Sequence, residues 1–99
     1  MEKVLTIDEI KEGVAQIAPN FNVAKIMVIG SYANASQTSK SDVDLQVEFG
    51  KRPHSLLKTI EFRRKLEEKI GKRVDIVPYP LPENSYVKIK KAVTIYEAV

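Results

Sequence analysis

The stretch Ile29-Gly30-Ser31-Tyr32-Ala33-Asn34-Ala35-Ser36-Gln37-Thr38-Ser39-Lys40-Ser41-Asp42-Val43-Asp44-Leu45-Gln46-Val47 decides how the chain is read. It leaves an apolar, β-branched run at a Gly-Ser pair, crosses a small polar loop and resumes as an alternating run that opens with two aspartates. Val23 to Ile29, apolar on both alternating faces apart from Lys25, predicts a strand inside a sheet. Asp42 to Phe49 alternates Val43, Leu45, Val47 and Phe49 with Asp42, Asp44, Gln46 and Glu48, which predicts a strand with one face in the core and the other open. The two strands are expected to pair as neighbours in a mixed sheet. Between them, Ser31 reads as the N-cap or first-turn residue of a short helix through about Ala35, and Ser36 to Ser41 reads as loop.

Upstream, Thr6 and Glu9 have the spacing of a capping box, and Ile7, Ile10, Val14 and Ile17 form one apolar helical stripe that should end near Pro19-Asn20. Downstream, Gly50 and Pro53 mark a turn. Ser55 is the expected N-cap of a helix whose apolar positions Leu56, Leu57, Ile60, Phe62, Leu66 and Ile70 read as one broad face, with Gly71 as its C′ residue. Val74 to Val77 predicts a third strand, stopped by Pro78. Pro80-Leu81-Pro82 reads as a stiff connector, Glu83 to Ala92 as a helix, and Val93 to Ala98 as either a terminal strand or a continuation of that helix. The expected fold class is α/β (α+β): a small mixed β-sheet with helices packed on one face, in a single domain over 1–99.

With 99 residues the chain should bury only about 60–65% of its unfolded surface. Apolar residues at 43% and charged residues at 29% give the balance of a globular domain rather than a disordered one. The longest apolar run is far shorter than the roughly 20 residues of a membrane span, and Met1-Glu2-Lys3-Val4 does not resemble a secretory signal, so a cytoplasmic protein without membrane contact is expected. The absence of cysteine excludes thiolate ligation, leaves oxygen ligands or the single His54 to hold any metal, and favours a hard cation such as Mg²⁺. A net charge of +3 gathers in short basic clusters. They are read as solvated helix faces, so nucleic acid is not the expected partner.

Alternation places Asp42 and Asp44 on the same face, with α-carbons about 6.6 Å apart from two strand rises, close enough to converge on a divalent cation. Gly30-Ser31 lies at the end of a strand, where backbone N–H groups and the Ser31 hydroxyl can meet an anion without obstruction by a Cβ. Asp75, between Val74 and Ile76, would bring a third carboxylate to the same open face. Each feature is common alone: Asp-x-Asp occurs on solvated strands, Gly-Ser in ordinary turns, and a strand aspartate at many sheet edges. His54 reads as a surface or near-cap histidine. Tyr32 could line a nucleotide pocket or pack in the core, and Tyr79, Tyr86 and Tyr96 read as core or interface residues.

Taken together, Gly30-Ser31, then Asp42-Val43-Asp44, a long helix and Arg73-Val74-Asp75-Ile76-Val77 resemble the minimal nucleotidyltransferases (MNT) of the DNA polymerase β-like superfamily, which are paired with HEPN proteins. The similarity spans about Val23 to Glu97. It implies that Gly30 and Ser31 hold the triphosphate of ATP, that Asp42 and Asp44 bind Mg²⁺, and that Asp75 completes the site as proton acceptor or further metal ligand. The implied reaction transfers AMP from ATP to a hydroxyl, that of a tyrosine on a HEPN-type toxin partner, so that the chain acts as antitoxin. An MNT-fold binding module of weak or absent activity, neutralising its partner by complex formation, is the alternative. A homo- or hetero-oligomer would complete the rim of so small a site. The chain departs from the family's usual pattern at Asn34-Ala35, where Arg or Lys followed by Gly is usual. A methyl there would cost roughly 1 kcal/mol if the backbone needs a positive φ, and Lys40, Lys72 or Arg73 would have to replace the cation.

Overall fold

The computed structural model describes residues 4–50, 56–78 and 91–98. Helix α1 (Ile7–Ile17) begins where the sequence places it. The Thr6 hydroxyl accepts from the Glu9 N–H at 3.1 Å and the Glu9 carboxylate accepts from the Thr6 N–H at 3.1 Å, so two N–H groups without helical partners are satisfied reciprocally. The chain then tightens into a 3₁₀ turn over Ala18–Asn20 and enters β1 (Val23–Ile29). After the polar loop come β2 (Val43–Phe49), α2 (Leu56–Ile70), β3 (Val74–Pro78) and β4 (Val93–Glu97).

The four strands form one mixed sheet in the order β3-β2-β1-β4. β1 pairs antiparallel with both β2 and β4, and β2 runs parallel to β3, the pair joined through α2. Both helices pack into one apolar cluster with a single sheet face. Ile10 and Val14 of α1 and Phe62 and Leu66 of α2 meet Ile26, Val28, Val43, Leu45, Val47, Val74 and Ile95. Phe62 anchors α2, with its ring 5.1 Å from that of Phe21 and 6.3 Å from that of Phe49. The helices also touch each other: a Cβ on Gly13 would stand 3.0 Å from the Ile70 Cγ1.

Several expectations are corrected. Leu56 and Leu57 are each 76% exposed and Ile60 is 37% exposed, so α2 has no single broad apolar face. At roughly 100° per residue these three lie about 120–160° around the axis from Phe62, whereas Leu66 and Ile70 follow Phe62 at four-residue steps. The sheet face away from the helices is not open throughout. Gln46 is buried beside its register partner Met27, and Ile29 is buried beside Asp44. β1 is an inner strand and brings apolar side chains to both faces. Val93 to Glu97 is the strand β4, not a continued helix, and Lys91 and Ala92 lead into it without helical structure. Ser55, His54, Pro80-Leu81-Pro82, Tyr79, Tyr86 and most of the expected helix Glu83–Ala92 lie outside the described residues.

Candidate active site

Strand register sets the site. In the β1–β2 ladder Ile29 pairs with Asp44, and in the β2–β3 ladder Asp44 pairs with Asp75. Neighbouring strands lie about 4.8 Å apart, so Asp44 stands in the middle of one transverse row. Asp75 flanks it on one side, and the end of β1 flanks it on the other. Asp42, one residue before β2, lies two residues from Asp44 along the chain and on the same side.

Gly30 ends β1 with φ 71°, a conformation that side chains disfavour. A Cβ there would collide with the Asp44 Oδ2 and stand 3.3 Å from its Cγ. The Asp44 carboxylate therefore rests directly on the Gly30 backbone, and the glycine is required both by the turn and by that contact.

The expected short helix from Ser31 is instead a compact turn. The Gly30 carbonyl accepts from the N–H groups of Ala33 and Asn34, each at 3.1 Å, and the Ser31 carbonyl accepts from the Ser36 N–H at 2.9 Å. The last bond is the six-to-one closure of a Schellman-type ending, which places the residue before its donor in the left-handed region. That residue is Ala35, at φ 57°, the one described non-glycine residue with positive φ. No helix continues from this turn, because the chain reverses there toward β2. Tyr32 is buried, and its hydroxyl accepts from the Leu5 N–H at 3.4 Å, so it packs under the turn rather than lining a pocket.

The second half of the connection is held differently. Thr38 and Ser41 staple each other, the Thr38 N–H donating to Ser41 Oγ at 2.8 Å and the Ser41 N–H to the Thr38 carbonyl at 3.0 Å. From the α2–β3 corner, the half-buried Lys72 Nζ donates to the carbonyls of Ser39 at 2.7 Å and Ser41 at 3.3 Å. Its ammonium is thus committed to the loop, not left to replace a phosphate-binding cation, whereas Lys40 and Arg73 are exposed. The Arg73 carbonyl accepts from the Val43 N–H at 2.9 Å, and Glu67 of α2 accepts from the Val74 N–H at 3.0 Å, one residue before Asp75. Gly71 allows this corner: at φ 80° it closes α2 with its N–H on the Glu67 carbonyl at 2.8 Å.

Burial raises the Asp44 carboxyl above its ordinary pKa. The negative charges of Asp75 and Asp42 raise it further, as does a hydrogen bond with Asp75 that needs a proton. Among the described residues no lysine or arginine is ion-paired to any of the three. Nor do three acidic or imidazole groups among the described residues stand as a closed metal cage. Asp75 and Asp42 are both near enough for their charges to act on Asp44. Because Asp75 is exposed and Asp42 half-exposed, both side chains keep the rotameric freedom to close on a common ligand. Uncompensated carboxylates over a glycine backbone are a donor set suited to a hard divalent cation. Two contributors, Glu67 and Lys72, have no local sequence signal for the bonds they make to the Val74 N–H and the Ser39 and Ser41 carbonyls. Both read as charges on a solvated helix end.

The model of the nucleotidyltransferase domain matches residues 7–96. A candidate protein adenylyltransferase of Methanocaldococcus jannaschii is 37% identical over 95 residues, covering 96% of this chain and 97% of that one. The protein adenylyltransferase MntA of Thermococcus cleftensis is 40% identical over 78 residues, covering 75% of this chain and 78% of its own. Among solved structures, a tri-AMPylated Shewanella oneidensis HEPN toxin in complex with its MNT antitoxin includes a chain that superposes with a TM-score of 0.65. At 16% identity it covers 94% of this chain and 74% of that one, a likeness of fold.

Proposed function

Since this chain belongs to the nucleotidyltransferase-domain family, we propose that it transfers AMP from ATP to a tyrosine hydroxyl of a HEPN-type toxin and so acts as its antitoxin. The observation that carries the proposal is the Gly30–Asp44–Asp75 row. Asp44 and the accessible Asp75 are register partners on β2 and β3, and the backbone of Gly30, one residue past the end of β1, lies against the Asp44 carboxylate. The adenylyltransferase names of relatives at 37% and 40% identity support the nucleotide and the reaction. The AMPylated toxin bound to a chain of the same fold supports the class of acceptor.

In this reading Gly30 and Ser31 receive the triphosphate at the start of the turn, where no side chain of residue 30 intervenes. Asp42 and Asp44 would hold Mg²⁺, which when bound would neutralise charge on the phosphates and offset the repulsion among the carboxylates. The hydroxyl oxygen bonds to the α-phosphorus, the bond to the bridging oxygen breaks, pyrophosphate leaves, and the hydroxyl proton passes to Asp75. Asp75 suits that task because it is exposed at the sheet edge where an acceptor can approach, and its partner Asp44 is already half-buried. Alignment and charge compensation supply most of the rate in such a site.

A second reading has its own observation. Ala35 holds a left-handed backbone with a methyl group, and Asn34 carries no charge at the adjoining exposed position. Both weaken the phosphate side and favour an MNT-fold module that neutralises by binding. Incubating the chain with a HEPN-type partner and α-labelled ATP separates the two: label on a partner tyrosine supports transfer, while a stable complex without label supports binding alone.

A further inference from the structure

We propose that Lys72 is a positioning residue for Asp42: its ammonium fixes the Ser39–Ser41 carbonyls and thereby sets where the first metal-binding carboxylate stands. The inference deepens the proposed function and rests on its assignment of Asp42.

Asp42 carries no hydrogen bond of its own among the described residues, and it lies just outside β2, beyond the sheet ladder that fixes Asp44 and Asp75. Its backbone is nonetheless held on both sides by two consecutive residues of the α2–β3 corner. The residue before it, Ser41, accepts from the Lys72 Nζ at 3.3 Å, with Ser39 accepting at 2.7 Å. The residue after it, Val43, donates to the Arg73 carbonyl at 2.9 Å. Lys72 immediately precedes Arg73, and Asp75 follows two residues later. One short segment therefore carries Asp75 and also places Asp42. The loop's internal staple, Thr38 with Ser41, shapes the loop but ties it to nothing else. Lys72 joins the loop to a distant element by side chain, across 33 positions of sequence to Ser39 and 31 to Ser41. A charged donor shared between two carbonyls is stronger and more directional than a neutral one. Hydrogen bonds made directly to metal-binding side chains are generally worth about 10- to 100-fold in metal affinity, and Lys72, which acts through the backbone preceding Asp42, should contribute toward the lower end of that range.

The test compares the unmutated chain with Lys72→Met, which keeps the stem and removes the donors, and Lys72→Arg, which keeps the charge. Asp44→Asn serves as control. Two quantities are read: Mn²⁺ binding in the presence of ATP by water-proton relaxation, and amide hydrogen exchange at Ser41 and Val43. Lys72→Met should weaken Mn²⁺ binding about tenfold, the lower end of the range for direct partners of metal ligands, and speed exchange at both amides, and Lys72→Arg should recover part of each. Unchanged Mn²⁺ affinity in a folded Lys72→Met chain overturns the proposal, whether or not exchange changes. Equal Mn²⁺ binding by the unmutated chain and Asp44→Asn would instead refute the site assignment, leaving exchange at Ser41 and Val43 to decide whether Lys72 orders the loop. Should Lys72→Met fail to fold, the unmutated chain still decides: the Lys72 ammonium protons must exchange more slowly with water than those of exposed Lys40. Equal rates overturn the proposal.

Discussion

The connection from β1 to β2 is built in two halves that face the same site and are held in opposite ways. Residues 30–36 form a turn closed mainly by its own backbone, with Tyr32 packed beneath it against the Leu5 N–H, and it ends on an alanine at φ 57°. Residues 37–42 form a loop stapled by Thr38 and Ser41 and tied by Lys72 to the α2–β3 corner. The first half stores backbone strain of roughly 1–2 kcal/mol at Ala35, while the second spends a half-buried lysine on order. In the proposed reaction the first half meets phosphate and the second carries a carboxylate. The carboxylates are thus set by distant elements, and the phosphate side chiefly by local turn geometry.

The largest effect should come from the point where the halves converge. Replacing Asp44 by Asn removes the central carboxylate of the row and should lower AMP transfer at least about a hundredfold, as measured by label incorporation at saturating ATP. Gly30→Ala tests the same junction from the other strand. Its Cβ would collide with the Asp44 Oδ2, and its φ of 71° disfavours any side chain. The variant should lose about 1–2 kcal/mol of stability and, through misplacement of Asp44, on the order of a hundredfold in transfer. Thermal unfolding and the transfer assay together check this.

Smaller effects sharpen the contrast. Asp44 has a folded-state pKa raised above its unfolded value. The native state therefore binds more protons than the unfolded state between the two values. The associated stability is present in full below the unfolded pKa, near 3.8, and is lost as pH rises through the folded pKa. Without metal, Asp44→Asn should accordingly raise Tm at neutral pH and lose that advantage in acid, as scanning calorimetry at several pH values would show. Added Mg²⁺ should raise the Tm of the unmutated chain and not of the variant. The smallest change is Ala35→Gly. It relieves the left-handed strain but adds freedom to the unfolded chain, leaving a net gain of at most about 1 kcal/mol, or a few degrees in Tm. If the phosphate side limits turnover, transfer should rise as well.

Much of this arrangement is legible in the sequence because its signals are local. The Thr6–Glu9 cap, the alternation from Val43 to Phe49, Gly71 after α2 and the two aspartates each depend on residues a few positions apart, and all appear where expected. The row of Asp44 and Asp75 was foreseeable from strand phase, although its alignment with Gly30 depends on the register of two ladders. What escaped depends on three-dimensional placement. Leu56, Leu57 and Ile60 are apolar but lie on the far side of α2 from Phe62. Gln46 looks like an open-face residue until Met27 of the inner strand lies beside it. Lys72 looks like a helix-end cation, because nothing near it in sequence announces the Ser39 and Ser41 carbonyls.

The central claim is that the Gly30–Asp44–Asp75 row performs transfer rather than serving only as a surface for binding. Its most direct test is to form the complex with a HEPN-type partner, add α-labelled ATP and Mg²⁺, and follow label on the partner for the unmutated chain and for Asp44→Asn. The account predicts label on a partner tyrosine with the unmutated chain, and at least about a hundredfold less with Asp44→Asn although the complex still forms. Complexes that form equally well and carry equal label, or none in either case, would contradict it.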